Sequence, residues 1–600
     1  MRPPTRYCLG VSVLLLAVVL GGCSSRSNVS ATGNVPSQYS HVYVTAQAVW
    51  FNPSATAGPD DSGWVQFPLS SPATVDLVAD SSGNFGSLIT DLKLKPGSYA
   101  QVRLIPVDAS TPLTLSAQTI GARYNAEVDF IDSSNTTQQL PLELLNPDRG
   151  IGIQTSLSVP LGNIGAALAA KTTTGTTSTP TTTTGTTPTT PATPSTSSTT
   201  ARANFALSID GARDLTAFTY GAVPAVLLSS HASAYDLSAS GGIQGTLTLT
   251  NLTGISSASG LPDIQVSAEL LSADGSRHFV VASAPVNSDG GFTLYPLAAN
   301  SSNIVDYDLV IHGHGIATII IKNVQIPPTS TATSSTTTAS TTTSTTTPTT
   351  TSGTITPTNL VSIGTLIPRA ATSSYSTNIL APAGAALPAG AQAGFYQTLP
   401  TSGEVPYVIE ASPIDPFNQN LANPQLLSAD TVDSGTYVSN GATVTVVSSA
   451  PQEKKGTYQV AATAPSYADG MLGIAVSAPT SGTTAPPVTI AGLSLASGGT
   501  FGTLAATVSP ANRTKYSNGV LLVTHDGQLV ASAPLDTVLA SGGGTVQVTG
   551  IPGGTSASLY YLTVRAWNSS DPAGTLSRQW YSTPVDLRGA SSANAQLTLN

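Results

Sequence analysis

The amino-acid sequence predicts an all-β chain of tandem antiparallel β-sandwich modules with disordered Thr-rich segments. Three observations carry this. Short runs alternate apolar and polar residues and are rich in β-branched and aromatic side chains, as in His41-Val-Tyr-Val-Thr-Ala-Gln-Ala-Val49; similar runs recur at Leu247 to Leu249, Ile264 to Leu270, Val444 to Val447 and Leu559 to Val564. Between such runs stand Asp274-Gly275, Asp289-Gly290, Asp469-Gly470 and Asp526-Gly527, dipeptides that supply the positive φ of tight hairpin turns. No stretch shows a capped 3.6-residue period long enough for a core helix, although Ala201 to Leu215 and Asn146 to Ile153 leave room for a single turn.

The first element is not part of the fold. Arg2 and Arg6 precede an apolar run from Cys8 to Leu20, 13 residues long, which is short of the ~20 that a membrane-crossing helix needs but suits a secretory signal. Leu20-Gly21-Gly22-Cys23 then resembles the lipobox of bacterial lipoproteins, in which the cysteine thiol carries a diacylglycerol. That resemblance implies a signal peptide over 1–22 and lipid attachment at Cys23. Two or three acyl chains, at ~0.8 kcal/mol per buried methylene, anchor a protein stably. Ser24, rather than Asp, implies the outer membrane by analogy with enterobacterial sorting.

Only two cysteines occur, Cys8 and Cys23. Removal of the leader and acylation of Cys23 leave no thiol for a disulfide, so the stability of the fold must come from burial. The formal net charge is −10 and charged residues are 9% of the chain. With no basic run, the sequence excludes nucleic acid as a partner and gives no reason for attraction to anionic lipid. Membrane contact is expected through the N-terminal lipid alone.

Residues 23–38, mostly polar, are expected to form a tether. Residues 171–202 and 328–356 consist almost entirely of Thr, Ser, Pro and Gly, a composition that cannot bury enough apolar surface to offset the entropy of ordering. Both bare spacers and O-glycosylated segments have this composition. The domain plan is then an N-terminal β domain over 39–240 with 171–202 as an insertion, a β-sandwich over 241–327, a Thr-rich linker over 328–356, a β domain over 357–480 and a β-sandwich over 481–600.

Several separated motifs of the first domain occur in the order of a known family. Val42-Tyr-Val-Thr, Gly63-Trp-Val-Gln, Val75-Asp-Leu-Val, Leu88, Leu92 and Lys95-Pro-Gly-Ser-Tyr-Ala-Gln-Val-Arg-Leu104 resemble the bacterial lipoprotein family called domain of unknown function 4382. Phe205 to Asp210, Gly211 to Leu215 and Ala222 to Leu228 resemble that family's ending. The second module, with Gly242-Ile-Gln-Gly245, Asn287-Ser-Asp-Gly-Gly-Phe-Thr-Leu294 and Tyr307-Asp-Leu-Val-Ile311, is similar to the transthyretin-like, carboxypeptidase-regulatory sandwiches. The resemblance implies seven-stranded transthyretin-like or immunoglobulin-like modules that serve as spacers or binding platforms.

Chemistry is sparse. His312-Gly-His314 sets two imidazoles on one face of an expected strand, and a metal would need a third ligand; His41, His231, His278 and His525 are scattered. The chain has no His-Glu-x-x-His, Gly-x-Ser-x-Gly, P-loop or helix-opening Gly-x-Gly-x-x-Gly motif, and the acidic turn at Asn287-Ser-Asp-Gly lacks the closing Glu of a calcium loop. No catalytic, cofactor or metal residues are therefore assigned. Trp50, Trp64, Trp567 and Trp580 could offer aromatic faces for stacking on sugar rings, with Trp50-Phe51 and Trp580-Tyr581 near expected strand ends, although tryptophan in a sandwich also serves as core. The expected function is non-enzymatic: an anchored envelope protein presenting sandwich modules for adhesion or matrix contact. Carbohydrate or periplasmic-ligand binding is the alternative.

Overall fold

The structure is a computed structural model describing residues 25–35, 39–107, 111–131, 136–144, 150–159, 202–220, 223–228, 232–248, 264–299, 305–313, 316, 318–327, 353–354, 359–368, 375–380, 392–399, 403–413, 425–426, 433–436, 457–463, 470–474, 488–494, 500–510, 516–525, 528–553, 559–568, 578–581, 584–587 and 592–599. The expected signal peptide and Cys23 lie outside these residues. So do the Thr-rich segments, apart from Arg202, Gly353 and Thr354.

The described elements are strands, with three short helical turns at Leu115–Thr119, Gly211–Asp214 and Asp536–Ala540. They form four two-layered sandwiches. In the first, the opening strand Ser25–Asn34 lies between Asn84–Leu94, to which it is antiparallel, and Arg202–Asp210, to which it is parallel; Ala232–Asp236 completes that sheet's outer side. The facing sheet runs in the order Leu215–Tyr220, Val223–Leu228, Thr137–Leu144, Ala126–Ile131, Tyr39–Asn52, Gly97–Pro106, Ile151–Val159, and Val65–Asp76 also pairs with Tyr39–Asn52. Val29, Phe51, Leu77, Leu94, Leu104, Phe205 and Leu207 fill the space between the layers.

The expected tether is thereby corrected. Residues 25–34 of the proposed 23–38 tether form a ten-residue strand hydrogen-bonded on both edges, with Val29 and Ala31 fully buried. SRSNVSATGN has too little apolar alternation to read as a strand alone. Its neighbours supply the pairing, and backbone hydrogen bonding stabilises a polar segment once two partners flank it.

The other three sandwiches share one seven-stranded plan. Each opening strand is the middle of a three-stranded sheet, with an antiparallel strand on one side and the closing strand, parallel to it, on the other. In the second sandwich the opening strand is Ser240–Leu247 and the closing strand Leu360–Leu366; in the third they are Tyr375–Leu380 and Val488–Ser494; in the fourth, Thr500–Pro510 and Ser592–Leu599. Four strands form the body of the facing layer each time: His278–Pro285, Gln265–Leu271, Asp306–His312 and Ile319–Gln325 in the second sandwich, where Asp433–Thr436 adds a fifth beside Ile319–Gln325; Tyr407–Pro413, Gln392–Thr398, Thr457–Thr463 and Gly470–Ile474 in the third; and Gln528–Pro534, Asn518–His525, Leu559–Trp567 and Arg578–Tyr581 in the fourth, where Val585–Asp586 also pairs with Leu559–Trp567. At Asp274-Gly275 and Asp289-Gly290 the glycines take φ of +69° and +86°, as the dipeptides predict.

The closing strands move the expected boundaries. The second sandwich does not end at 327, and 328–356 does not separate two domains, because Val361, Ile363 and Leu366 are buried in the same core as Ile243, Phe292 and Ile321. The third sandwich runs from 375 to 494 rather than 357 to 480, and the fourth opens at 500 rather than 481. In the first sandwich, likewise, the strands on either side of 171–202 pack into one core.

Three buried aliphatic side chains in the closing strand contribute roughly 1.5–3 kcal/mol each, set against a total stability of ~5–15 kcal/mol for a domain. A chain of residues 240–327 is therefore expected to be unfolded, while one of residues 240–367 unfolds cooperatively, as checked by urea titration of the far-ultraviolet circular dichroism. Equal stability of the two chains would refute the assignment of Leu360–Leu366 as the closing strand.

Candidate functional site

The outward face of the larger sheet in the first sandwich carries a half-buried group of aromatic and cationic side chains. Strict alternation would not have put them there. Along Tyr39–Asn52, Val42, Val44 and Ala46 face the core; the register against both neighbours then shifts between Ala46 and Ala48, and Val49 and Phe51 face inward instead. A bulge of this kind reverses side-chain parity. Its consequence is that Trp50 points outward. Gln47, the extra residue, donates from Nε2 to the Pro106 carbonyl at 3.1 Å.

The neighbouring strand Gly97–Pro106 has its own shift between Tyr99 and Gln101. Tyr99, Val102 and Leu104 are all buried although their spacing breaks alternation, and Arg103 is turned to the outer face. The Tyr99 hydroxyl donates to the Lys95 carbonyl at 3.0 Å, closing the Pro96-Gly97 turn. Gln66, Trp50, Arg103 and Gly152 form one cross-strand row.

Trp64, which enters the strand Val65–Asp76, leans over this row. Its ring centroid lies 6.1 Å from that of Trp50 at 54°, and the Arg103 guanidinium carbon is 5.2 Å from the Trp64 centroid. Trp64 Nε1 donates to the Gly58 carbonyl at 2.8 Å, which ties the ring to the loop preceding the strand. All three side chains are half-buried. A side chain at Gly152 would touch the guanidinium at 3.5 Å, so glycine leaves that edge uncovered. The group offers two indole faces for stacking and one guanidinium for a hydroxyl or carboxylate.

The structure thus brings together Trp50 and Trp64 but not the other two tryptophans. Trp567 is half-buried in the fourth sandwich opposite Asn518, and Trp580 is in register with Val564. His312 is half-buried with Nε2 3.3 Å from the Ser267 hydroxyl, and His314 lies outside the described residues, as does His231. Among the described residues no group of three or more His, Cys, Asp or Glu could hold a metal ion. Asp289 accepts from the Gly291 backbone N–H at 2.9 Å and so caps its own turn. No helix among the described residues is long and apolar enough to cross a membrane.

Two buried polar clusters escaped the reading of the sequence. One lies between the second and third sandwiches. Asp308 accepts from the Tyr407 hydroxyl at 2.9 Å and from the Asn323 backbone N–H at 2.8 Å, and its carboxylate is 3.3 Å from His278 Nε2. The His278 and Tyr407 rings stack at 3.9 Å, and Lys322 pairs with Glu404 at 2.5 Å. These bonds hold the Asp308 carboxyl below its ordinary range, whereas burial raises that of Glu269, which accepts from the Val408 backbone N–H at 3.1 Å. The signal was present as an acid inside each of two apolar runs, Val-Ser-Ala-Glu269-Leu and Tyr-Asp308-Leu-Val-Ile.

The other cluster is on the first sandwich, where Asp129, Glu127 and Glu143 are buried on two adjacent strands. Glu127 accepts from the Arg123 and Tyr124 backbone N–H groups at 2.6 and 2.8 Å and from Gln139 Nε2 at 3.3 Å. Glu143 is paired with Arg565 of the fourth sandwich. His41 Nδ1 is 2.7 Å from Asp76, the acid of the Val-Asp-Leu motif, whose other oxygen accepts from the Val42 and Val78 backbone N–H groups. That motif is a structural clamp where the strand leaves the sheet.

Residues 27–150 match the family model described as "Domain of unknown function (DUF4382)". No curated protein matches the chain. Among solved structures, the chain is similar to the shaft pilin SpaA from Lactobacillus rhamnosus GG, with 12% identity over 38% of this chain and 98% of that one at a TM-score of 0.18. It is similar to the Bacillus anthracis TIE protein at 8% identity, 96% and 73% coverage and a TM-score of 0.14, and to BcpA, the major pilin subunit of Bacillus cereus, at 11%, 60% and 99% with a TM-score of 0.12. At this degree of overlap, any functional reading rests on the chain's own residues.

Burial pushes the Glu127 carboxyl from 4.5 up to about 7. The folded state therefore holds this proton over a range in which the unfolded chain has released it, and the associated stability is lost as pH rises from about 4.5 to about 7. Glu127→Gln is expected to flatten that slope in the calorimetric transition of the first sandwich. An unchanged slope in the variant would remove Glu127 as its source.

Proposed function

We propose that this protein is a non-enzymatic, lipid-anchored component of a bacterial cell envelope that presents β-sandwich modules for adhesion or contact with surrounding matrix. The observation that carries the reading is the direct succession from the lipobox-like Cys23 to an ordered chain of sandwiches. Only Ser24 separates the cysteine from the opening strand, and in each module a later strand returns in parallel beside the first. Neighbouring modules also pack directly: Phe85 meets Tyr295 edge-to-face at 5.9 Å between the first and second, and Val310 and Ile320 meet Leu399 and Tyr407 between the second and third. Such contacts suit a stiff presenting body rather than a catalyst.

A second reading, binding of a saccharide, is favoured by the Trp50–Trp64–Arg103 group. An indole pair beside a guanidinium matches a sugar ring with an apolar face and a carboxylate or vicinal hydroxyls.

Intact mass of the protein purified from a lipoprotein-processing host is expected to show diacylglycerol on Cys23 and loss of 1–22; an unmodified Cys23 would end the anchor reading. Protease treatment of intact cells carrying an epitope tag after Asn600 is expected to remove the tag, and protection until lysis would sink the adhesion reading in favour of a periplasmic ligand. Trp50→Ala with Trp64→Ala is expected to abolish saccharide binding on a glycan array while altering stability by no more than ~1–2 kcal/mol, since neither ring is part of the core.

A further inference from the structure

The strand Ser25–Asn34 has two ends with different surroundings. At Asn34 it meets the second sandwich, where the Asn34 amide is bonded to the Ser283 hydroxyl. At Ser25, nine residues and therefore ~30 Å away, lies a row of cations. Arg26 is opposite Lys93 on one side and Arg202 on the other, and Lys95 lies just past the end of the strand that holds Lys93, in the Pro96-Gly97 turn.

Arg26, Lys93 and Lys95 are exposed, alternating with Leu92 and Leu94, which are buried. Asp91 pairs with Arg26. Arg26, Lys93 and Lys95, three of the 21 Lys and Arg of a 600-residue chain of net charge −10, thus share one sheet corner. Like charges placed directly across strands repel; Asp91 offsets only the charge of Arg26. An anionic partner removes that repulsion.

We propose that this corner is a membrane-apposed face that binds anionic lipid headgroups. The inference rests on the anchor reading for the direction in which the corner points, because one residue between Cys23 and the strand allows it no other approach to the bilayer. The strand's polarity carries the rest: its far end is occupied by the second sandwich and its near end presents the cations. Phosphates of the headgroup layer lie within reach of Lys93, Lys95 and Arg26, and attraction falls off within a Debye length of the surface. The corner would set the sandwich upright on the membrane. It also reverses the expectation, drawn from the absence of a basic run, that anionic lipid gains nothing from this chain; the cations come from two segments far apart in sequence.

The test separates this from lipidation. Every described element begins at Ser25 or later, so a chain from residue 23 to 600 with Cys23→Ser keeps the whole described fold and has no acyl chain. Its flotation is measured with vesicles of phosphatidylcholine alone and of phosphatidylcholine with phosphatidylglycerol. Partition into the anionic vesicles is expected to be at least about tenfold higher at low ionic strength, to fall with added salt, and to be lost in Arg26→Gln/Lys93→Gln/Lys95→Gln. Circular dichroism of that variant is expected to be unchanged, since all three side chains are exposed. Equal partition into both vesicles, or undiminished binding by the variant, would overturn the proposal. Displacement by dextran sulfate that anionic vesicles cannot reverse would assign the corner to a soluble polyanion and overturn it as well. An unmodified Cys23 in the intact-mass experiment would end the anchor reading while leaving the flotation result to stand or fall by itself.

Discussion

The parallel pairing of each module's first strand with a later one, the module's last strand in the second, third and fourth sandwiches, is the interaction on which the rest of this structure depends. Parallel neighbours cannot be joined by a hairpin and need a crossover. In each sandwich the chain therefore leaves the facing sheet, crosses to the other layer and returns beside its own beginning. The Thr-rich segments 171–202 and 328–356 fall within such crossovers in the first and second sandwiches. A composition that would ordinarily mark a boundary between domains here marks a connection inside one. The entropy of closing a long loop grows only slowly with its length, so a crossover tolerates these insertions provided the closing strand buries enough: Val361, Ile363 and Leu366 in the second sandwich, Phe205, Leu207 and Ile209 in the first.

Within that frame, small breaks in register decide what the surface can do. The shift at Gln47 and the one before Gln101 turn Trp50 and Arg103 to the same outer face and leave Phe51, Tyr99 and Val102 in the core. Without both, the two strands would present different residues to solvent. The packing of the sandwich and the composition of the candidate site are thus one problem, solved by two extra residues. Gly152 completes it by leaving the edge of Arg103 open.

The junctions between modules combine apolar contact with buried ionisable groups. Tyr407 packs against the second sandwich with its ring on His278 and its hydroxyl on Asp308, and Glu143 meets Arg565 across 422 residues of sequence. Buried polar groups without partners are costly, so these pairs discriminate between the observed docking and others more than they add to its strength. Partnered, they hold one arrangement; mispaired, each would strand a charge.

The all-β class, the turns at Asp274-Gly275 and Asp289-Gly290, the lipobox-like Leu20-Gly-Gly-Cys23 and the lack of catalytic motifs were legible from residues alone, because each depends on neighbours in sequence. So were Trp50 and Trp64 as candidate site residues. The strand character of SRSNVSATGN, the module ends at 366, 494 and 599, the outward aim of Arg103 and the cationic corner of Arg26, Lys93 and Lys95 were decided only by tertiary structure. The reason is common to all of them: a strand is completed by partners, and alternation reports which face a side chain takes only until a bulge reverses it. Pairing between residues hundreds of positions apart leaves no local periodicity for a sequence to display.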